Sequence, residues 1–405
     1  MALTILQEPL TYTSGFDPQI FIASASNSFL APFRYKVELQ IAASTVATFY
    51  LVKRPNGNCF FDAQRTIENY LSYNFDSIKS LTYGWVNGAS NIFKKYNLKI
   101  TSQYYISPLW SDMDTVTTND YYAINSALDY ITWQDNNNND YLIGATGTKK
   151  FLTNTPTIPI RENESFELAV MTNTNDAVKR LVIDTFDSSG TLIATGTINN
   201  ATTTISGDNG RFLSILCGTS DINNSTLSSG SNPLITDSVS YYEVYVQNTS
   251  NTRRTEKKRF VIDRTCTRET SFRLAWLNPL GRFDMLTFTG VKDDSISVEK
   301  SNYNKTLGLE GTTSLTYDTT DRQTTPFFTE VSQKYKLRSG FLSTDQSEWL
   351  KELFASPVVF CLINGSWYAV NVTQTTYQVK KTIQEKLFII ELDMELANKT
   401  QRQRL

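Results

Sequence analysis

Phe33-Arg34-Tyr35-Lys36-Val37-Glu38-Leu39-Gln40-Ile41 alternates, residue by residue, between large apolar side chains and charged or amide ones. A strand turns successive side chains to opposite faces. Phe33, Tyr35, Val37, Leu39 and Ile41 therefore share one face, and Arg34, Lys36, Glu38 and Gln40 the other. This is the pattern of a half-buried antiparallel strand. A second strand is expected at Ala47-Thr-Phe-Tyr-Leu-Val52, followed by a turn at Pro55-Asn-Gly-Asn58. Asp62 then stands as a helix N-cap, with Ile67, Tyr70 and Leu71 on one helical stripe. Another strand is expected from Ile92 to Tyr105. The first block, 1–155, is thus an expected β-sandwich with one short helix and, from residue 112, an Asp/Asn/Thr-rich excursion or linker.

The block 156–265 carries strand after strand: Ser165-Phe-Glu-Leu-Ala-Val-Met171, Arg180-Leu-Val-Ile-Asp-Thr-Phe186, Leu192–Ile198, Phe212–Cys217 and Tyr241–Val246. Turns at Asp187-Ser-Ser-Gly190 and Gly207-Asp-Asn-Gly210 separate them. Short strands with regular turn signals predict a sandwich of immunoglobulin or fibronectin-III type.

The last block, 266–405, mixes strands with a helix over 343–355. Ser343-Thr-Asp-Gln346 has capping-box spacing, Trp349, Leu350, Leu353 and Phe354 form its apolar face, and Ser356-Pro357 stops it. Strands follow at Val358–Ile363, Trp367–Val372 and Phe388–Leu396. In the last, Phe388, Ile390, Leu392, Met394 and Leu396 face inward. The tail from Lys399 is expected to extend from the fold. The fold class is mainly β: multidomain β-sandwiches with a few short helices and an α+β C-terminal domain.

None of the 405 residues is histidine, which removes the commonest general acid–base and the commonest metal ligand together. With 38 basic and 40 acidic residues, the net charge of −2 argues against broad attraction to nucleic acid. Cys59, Cys217, Cys266 and Cys361 are scattered without a CxxC pair, and are expected to be buried thiols in a reducing compartment. The N-terminus lacks a basic segment leading into an apolar one, and no apolar run is long enough to span a bilayer. The expectation is a protein assembled in a cytoplasm, without a membrane partner.

Catalytic chemistry is poorly supplied. No G-x-S-x-G elbow, Walker A loop or G-x-G-x-x-G is present. Asp135-Asn-Asn-Asn-Asn-Asp140 begins like a calcium loop, but Asp140 replaces the turn glycine and Thr146 the closing Glu, so a solvated loop is expected. A glycosidase needs only two carboxylates. Asp112 and Asp114 beside Trp110 are the best local pair, with Asp62, Glu68, Asp284 and Asp293 equally eligible. The expectation is no enzyme, no cofactor and no metal. One basic cluster remains, Arg253, Arg254, Lys257, Lys258 and Arg259, continuing to Arg264, Arg268 and Arg273. It suits a solvated hairpin, an acidic neighbouring subunit or DNA in a channel, though Glu256, Asp263 and Glu269 interrupt it.

Trp276-Leu-Asn278-Pro-Leu-Gly281-Arg-Phe283-Asp284-Met-Leu-Thr-Phe288 follows the pattern W-x-N-x-x-G-x-x-D-x-x-x-F. By physics alone, Trp276 and Phe283 are anchors for a core or subunit boundary, Asn278 and Gly281 form a tight turn, and Asp284 satisfies backbone donors. The segment resembles one in virion proteins of tailed phages that infect Bacteroidetes, including the crAss-like group. Two further stretches are similar to the same proteins. One runs from Asp17-Pro-Gln-Ile-Phe through Phe33-Arg-Tyr-Lys-Val to Ile67-Glu-Asn-Tyr-Leu71, the other from Leu342-Ser-Thr to Ser356-Pro357. The resemblance touches the first and last blocks and carries no catalytic residues. It implies a virion protein of the tail or neck, a ring or tail-stabilising subunit around the DNA exit channel. Its expected partners are copies of itself in a cyclic ring, other tail or neck proteins, and DNA contacted non-specifically. The alternative is a tail-fibre or surface adhesin module that binds host glycan.

Overall fold

The computed structural model describes residues 3–30, 32–88, 91–134, 137–155, 157–173, 177–202, 211–265, 271–310, 312–316, 318–374 and 389–402. Half of the described residues are strand and a tenth helix, arranged in several sheets, so the fold is mainly β and of the multidomain sandwich kind. The chain divides into two units, the first Met1–Arg264 with Leu277–Asp284, the second Thr265–Trp276 with Met285–Leu405.

The first unit opens with β1 (Leu3–Gln7), β2 (Tyr12–Ser14), β3 (Ile20–Ala25), β4 (Phe33–Ile41), β5 (Ser44–Val52) and β6 (Cys59–Asp62). Short helices α1 (Gln64–Ile67) and α2 (Asp76–Lys79) lead to β7 (Trp85–Asn87), β8 (Phe93–Ile106), β9 (Leu109–Thr117) and β10 (Tyr121–Ile124). After α3 (Tyr130–Gln134) come β11 (Leu142–Ile143), β12 (Thr157–Arg161), β13 (Glu167–Thr172), β14 (Arg180–Phe186), β15 (Leu192–Asn199) and β16 (Arg211–Leu216). Helix α4 (Thr219–Asn224), β17 (Tyr241–Gln247) and β18 (Lys258–Asp263) complete it.

Sheet β1-β3-β6 and sheet β2-β10-β8-β4-β5, with β9 also on β8, share one core. Phe33, Tyr35, Val37 and Leu39 are buried in it as the alternation predicts, together with Phe21, Phe61, Ile67, Tyr96 and Ile100. Two buried tyrosine hydroxyls find partners. Tyr35 donates to the Gly57 carbonyl at 2.7 Å, and Tyr96 to Gln19 Oε1 at 3.0 Å. The Asp62 helix is shorter than the sequence stripe suggests. It makes one α-turn, then a 3₁₀ turn over Glu68–Tyr70, and the chain becomes extended at Leu71. Tyr70 therefore stays exposed while Ile67 and Leu71 are buried. The N-cap position falls on Ala63, one residue later than expected, and Asp62 Oδ1 accepts from the Gln64 N–H at 3.0 Å from just outside the helix.

The expected excursion from residue 112 opens as sheet, over 112–117 and 121–124. Beyond that it carries only helix α3 and the two-residue β11 as regular elements among the described residues, apart from a 3₁₀ turn at Asn137–Asp140. Strand β9 pairs with β8, with Asp112 opposite Gln103, and β10 pairs with β8 and β2. Sheet β11-β13-β16-β7 takes strands from both sides of residue 155, and β12-β18-β17-β14-β15 completes the middle layers. Phe166, Tyr242 and Phe260 pack there, the last two stacked at 4.8 Å. The turn 207–210, Asp135, Asn136, Cys266, Arg268, Glu269 and Phe388 lie outside the described residues.

The second unit holds β19 (Phe272–Leu277), β20 (Phe283–Phe288), β21 (Asp293–Asn304), β22 (Leu309–Glu310), β23 (Leu315–Thr316) and β24 (Thr324–Arg338), the ends of β19 and β20 belonging to the first. Helices α5 (Thr344–Trp349) and α6 (Lys351–Ala355) precede β25 (Val359–Ile363), β26 (Ser366–Val372), β27 (Glu391–Leu396) and β28 (Thr400–Gln401). The sheet order is β20-β19-β25-β26-β27-β24-β21. Helix α5 has the predicted capping box: Gln346 N–H donates to Ser343 Oγ at 3.3 Å, and Ser343 N–H to Gln346 Oε1 at 3.0 Å. Trp349, Leu350 and Leu353 are buried. The tail does not simply leave the fold, because β28 pairs with Glu330 and Val331 of β24.

Cys59, Cys217 and Cys361 are buried free thiols. Burial pushes Cys59 and Cys361 up to about 12, and Cys217 well above the ordinary thiol value, so all three are protonated at neutral pH.

Candidate functional site

The Trp276–Phe288 segment is a folding element. Trp276 is fully buried on β19, its ring 4.8 Å from that of Trp349. From Leu277 to Asp284 the chain belongs to the first unit. Asn278 builds the turn there: its Oδ1 accepts from the N–H groups of Leu280 and Arg282, both at 3.0 Å, and its Nδ2 donates to the Leu152 carbonyl at 3.0 Å. The Asn278 N–H also donates to the Arg282 carbonyl at 2.7 Å, closing the loop. Phe283 is buried with its ring 4.7 Å from Phe75, and Asp284 is buried as well. All five motif residues expected at a core or interface are thus interior to the chain or, for Gly281, pressed against its backbone.

Gly281 has φ +83°, and an added Cβ would lie 2.1 Å from the Asn125 carbonyl oxygen. Left-handed backbone and a clash with main chain act together. Gly281→Ala is expected to cost about 3 kcal/mol or more, well past the ordinary range for a surface substitution. A chemical-denaturation midpoint equal to that of the parent would refute this.

Sequence reasoning missed the ion pair beneath this turn. Arg282 and Glu167 are both buried, and Arg282 Nη2 donates to Glu167 Oε1. Ser77 adds a hydroxyl to the same oxygen at 3.1 Å, and the Arg282 guanidinium lies 5.3 Å from the centre of the Phe212 ring. The two partners are 115 positions apart, so no local pattern could have signalled the pair.

The basic cluster is largely spent inside the fold. Lys257 reaches Asp184 at 3.5 Å and Glu243 at 3.2 Å, and Arg259 reaches the same Glu243 at 2.7 Å. Burial pulls the Glu243 carboxyl up, but hydrogen bonds and charge from Arg259 and Lys257 outweigh it, and its pKa falls below the usual Glu value. Lys258 points the other way along the strand and is only 4% exposed. It donates to the Thr155 carbonyl at 2.8 Å and pairs with Glu256 at 3.0 Å. Lys258 is therefore no surface contact residue. Arg264 is held by Glu162 and by the Val239 and Thr236 carbonyls, and Arg273 is buried with Thr287. Arg253 is exposed and Arg254 half-buried.

A double Lys257→Glu, Lys258→Glu variant would consequently mix a fold defect with a contact defect. Lys258→Glu alone should lose about 3 kcal/mol, because it sets an unpaired buried carboxylate beside Glu256. Lys257→Glu, at a partly exposed pair, should stay within about 1 kcal/mol. Thermal unfolding of the two single variants checks this, and equal losses would refute it.

Asp112 and Asp114, the best pair of the glycosidase reading, sit on β9 at the edge of its sheet, whereas Asp62, Glu68, Asp284 and Asp293 are spread over β6, the 3₁₀ turn, β20 and β21. Asp112 Oδ1 accepts from Gln103 Nε2 at 2.5 Å, while a register shift at Thr101/Gln103 ties the Asp114 main chain to Ser102. The Arg34 guanidinium lies 4.0 Å from the Trp110 ring centre and 4.2 Å from that of Tyr50. A sugar stacking on that face of Trp110 would have to displace this cation. Among the described residues, no cluster of three or more His, Cys, Asp or Glu could hold a metal ion, and no helix is long and apolar enough to cross a membrane.

No family model and no curated protein matches the chain. Solved structures give distant likenesses. A tetra-tandem repeat from the extending region of a large adhesion protein is 10% identical over 83% of this chain and 70% of that one, at a TM-score of 0.18. A marsupial T cell receptor is 10% identical over 83% and 96%, at a TM-score of 0.18.

Proposed function

We propose that the chain is a structural subunit of a tailed-phage virion, a ring-forming or tail-stabilising protein of the neck or tail around the DNA exit channel. The observation that carries this reading is the Trp276–Phe288 segment. It is the stretch by which the chain resembles phage virion proteins, and its motif residues are committed to folding: a buried Trp, a self-bonded Asn and a left-handed Gly. A structural subunit needs a fixed shape carrying surfaces for its neighbours. The partners are other copies of the chain and other tail or neck proteins. Of the basic cluster, exposed Arg253 is the cation that remains for an acidic neighbour or DNA. Electron cryomicroscopy of intact particles from the source tests the reading. Symmetric copies around the neck or tail axis are the expected result, and absence of the chain from the particle would discard it.

The second reading, a glycan-binding adhesin module, is favoured by Tyr50, Arg34, Trp110, Gln103 and Asp112 gathered on one sheet face. Copies at peripheral fibre tips, together with glycan binding abolished by Trp110→Ala, would replace the first reading with this one.

A further inference from the structure

Strand β21 is the last strand of its sheet, with β24 on one side and no strand on the other among the described residues. It is long, 12 residues, and every residue except the half-buried Ser301 is exposed, including Ile296 at 66% and Val298 at 44%. Such an edge offers a row of backbone donors and acceptors to another strand. Proteins usually blunt such edges with charged side chains, a proline, a bulge or inward-pointing charges, and β21 does carry Asp293, Asp294, Glu299 and Lys300. This one has no proline, and the register shift beside it takes its extra residue, Phe327, from β24, leaving β21 itself regular.

The side chains on one face of β21 are Asp294, Ile296, Val298 and Lys300. Read backwards, this row is the complement of itself. We propose that β21 is a homotypic docking edge: two copies of this chain join β21 to β21, antiparallel, about a two-fold axis at Ser297. In that register Asp294 faces Lys300 of the second copy and Ile296 faces its Val298, and symmetry repeats each pair. On the opposite face Ser297 meets its counterpart and Ser295 meets Glu299, so no like charges oppose each other.

Neighbouring registers fail on the same criteria. A two-fold axis between identical antiparallel strands stands perpendicular to the sheet, so the register moves only by whole residues on the axis. Centring on Val298 sets Ile296 against Lys300, and centring on Ile296 sets Asp294 against Val298. Centring on Glu299 or Lys300 places two like charges face to face. Asp294 already pairs with Lys292 at 3.1 Å, but a carboxylate has two oxygens and can accept a second cation. The joined sheets would form one continuous sheet across the axis. The contact does not depend on the virion reading: it predicts a pair-forming edge in any assembly of this chain.

The test is sedimentation velocity of the full chain, run up to about 100 µM because a single strand pair buries little area and binds weakly. The parent chain should show a concentration-dependent monomer–dimer equilibrium. D294K and K300D should each shift it to monomer by at least tenfold in dissociation constant. The double variant D294K/K300D should dimerise again. Mixing the two single variants should give a one-to-one heterodimer, because their strands then carry opposite charges at both facing positions. All four positions of the row are exposed, so folding is not at risk, and circular dichroism confirms it. Ser297→Cys should form an intermolecular disulfide on mild oxidation faster than Glu299→Cys, which is off the axis. A parent chain that stays monomeric throughout, or a dimer indifferent to both single charge reversals, would overturn the proposal while leaving the virion reading untouched.

Discussion

Trp276→Ala should destabilise the second unit by about 3–5 kcal/mol, the range for truncating a fully buried aromatic residue. The ring has no solvent exposure and lies against Trp349, in a core that also includes Leu350, Leu353, Phe288 and Leu337. Helix α5 presents Trp349 from its last residue, so removing Trp276 opens a void between a sheet and the helix that covers it. A void there loses packing on both walls, and the tilted aromatic contact with Trp349 is lost as well. With two units in the chain, unfolding need not be a single transition. The expected record is a second unit that melts early while the first keeps its midpoint. Trp276→Phe should recover part of the loss. On the proposed virion reading, particles should then fail to incorporate the alanine variant. Normal incorporation and an unchanged melting profile would together show that this ring supports neither the fold nor the assembly.

What the sequence revealed depended on whether the side chains or the main chain held each element. Strand β4 was legible because one face is core and the other is not, so Tyr35, Val37 and Leu39 announce it. The helix cap at Ser343 was legible because its two hydrogen bonds join residues three apart. Strand β9 was not, since its Leu-Trp-Ser-Asp-Met-Asp-Thr-Val-Thr run shows no apolar alternation and is held by pairing with β8. The tail strand Thr400–Gln401 was hidden for the same reason. Charge partners were equally hidden. The cluster at 253–259 reads as basic along the chain, but the ladder sets Asp184 opposite Glu243 and brings both to Lys257. The motif at 276–288 is visible in the sequence as a stretch, while Arg282, the cation paired beneath its turn, occupies one of the pattern's unspecified positions.

Arg282→Met is the second large effect expected, a loss of about 3–5 kcal/mol, because it leaves the Glu167 carboxylate buried without its counter-ion. The loss should belong to the orphaned charge and not to the pair as such. Removing both, with Arg282→Met and Glu167→Leu together, should cost less than either single change suggests, since two apolar side chains can fill the site without a desolvated ion. The double-mutant cycle should give a coupling of about 1–3 kcal/mol. Ser77 offers Glu167 only one hydroxyl, too little to replace a guanidinium. Additive losses would mean that the two groups act independently. The Leu277–Asp284 turn would then be fixed by Asn278 and by the close approach of Gly281 to Asn125 alone. A strong coupling would instead make the ion pair part of what holds this turn in the first unit, linking β13 to the loop that carries the motif.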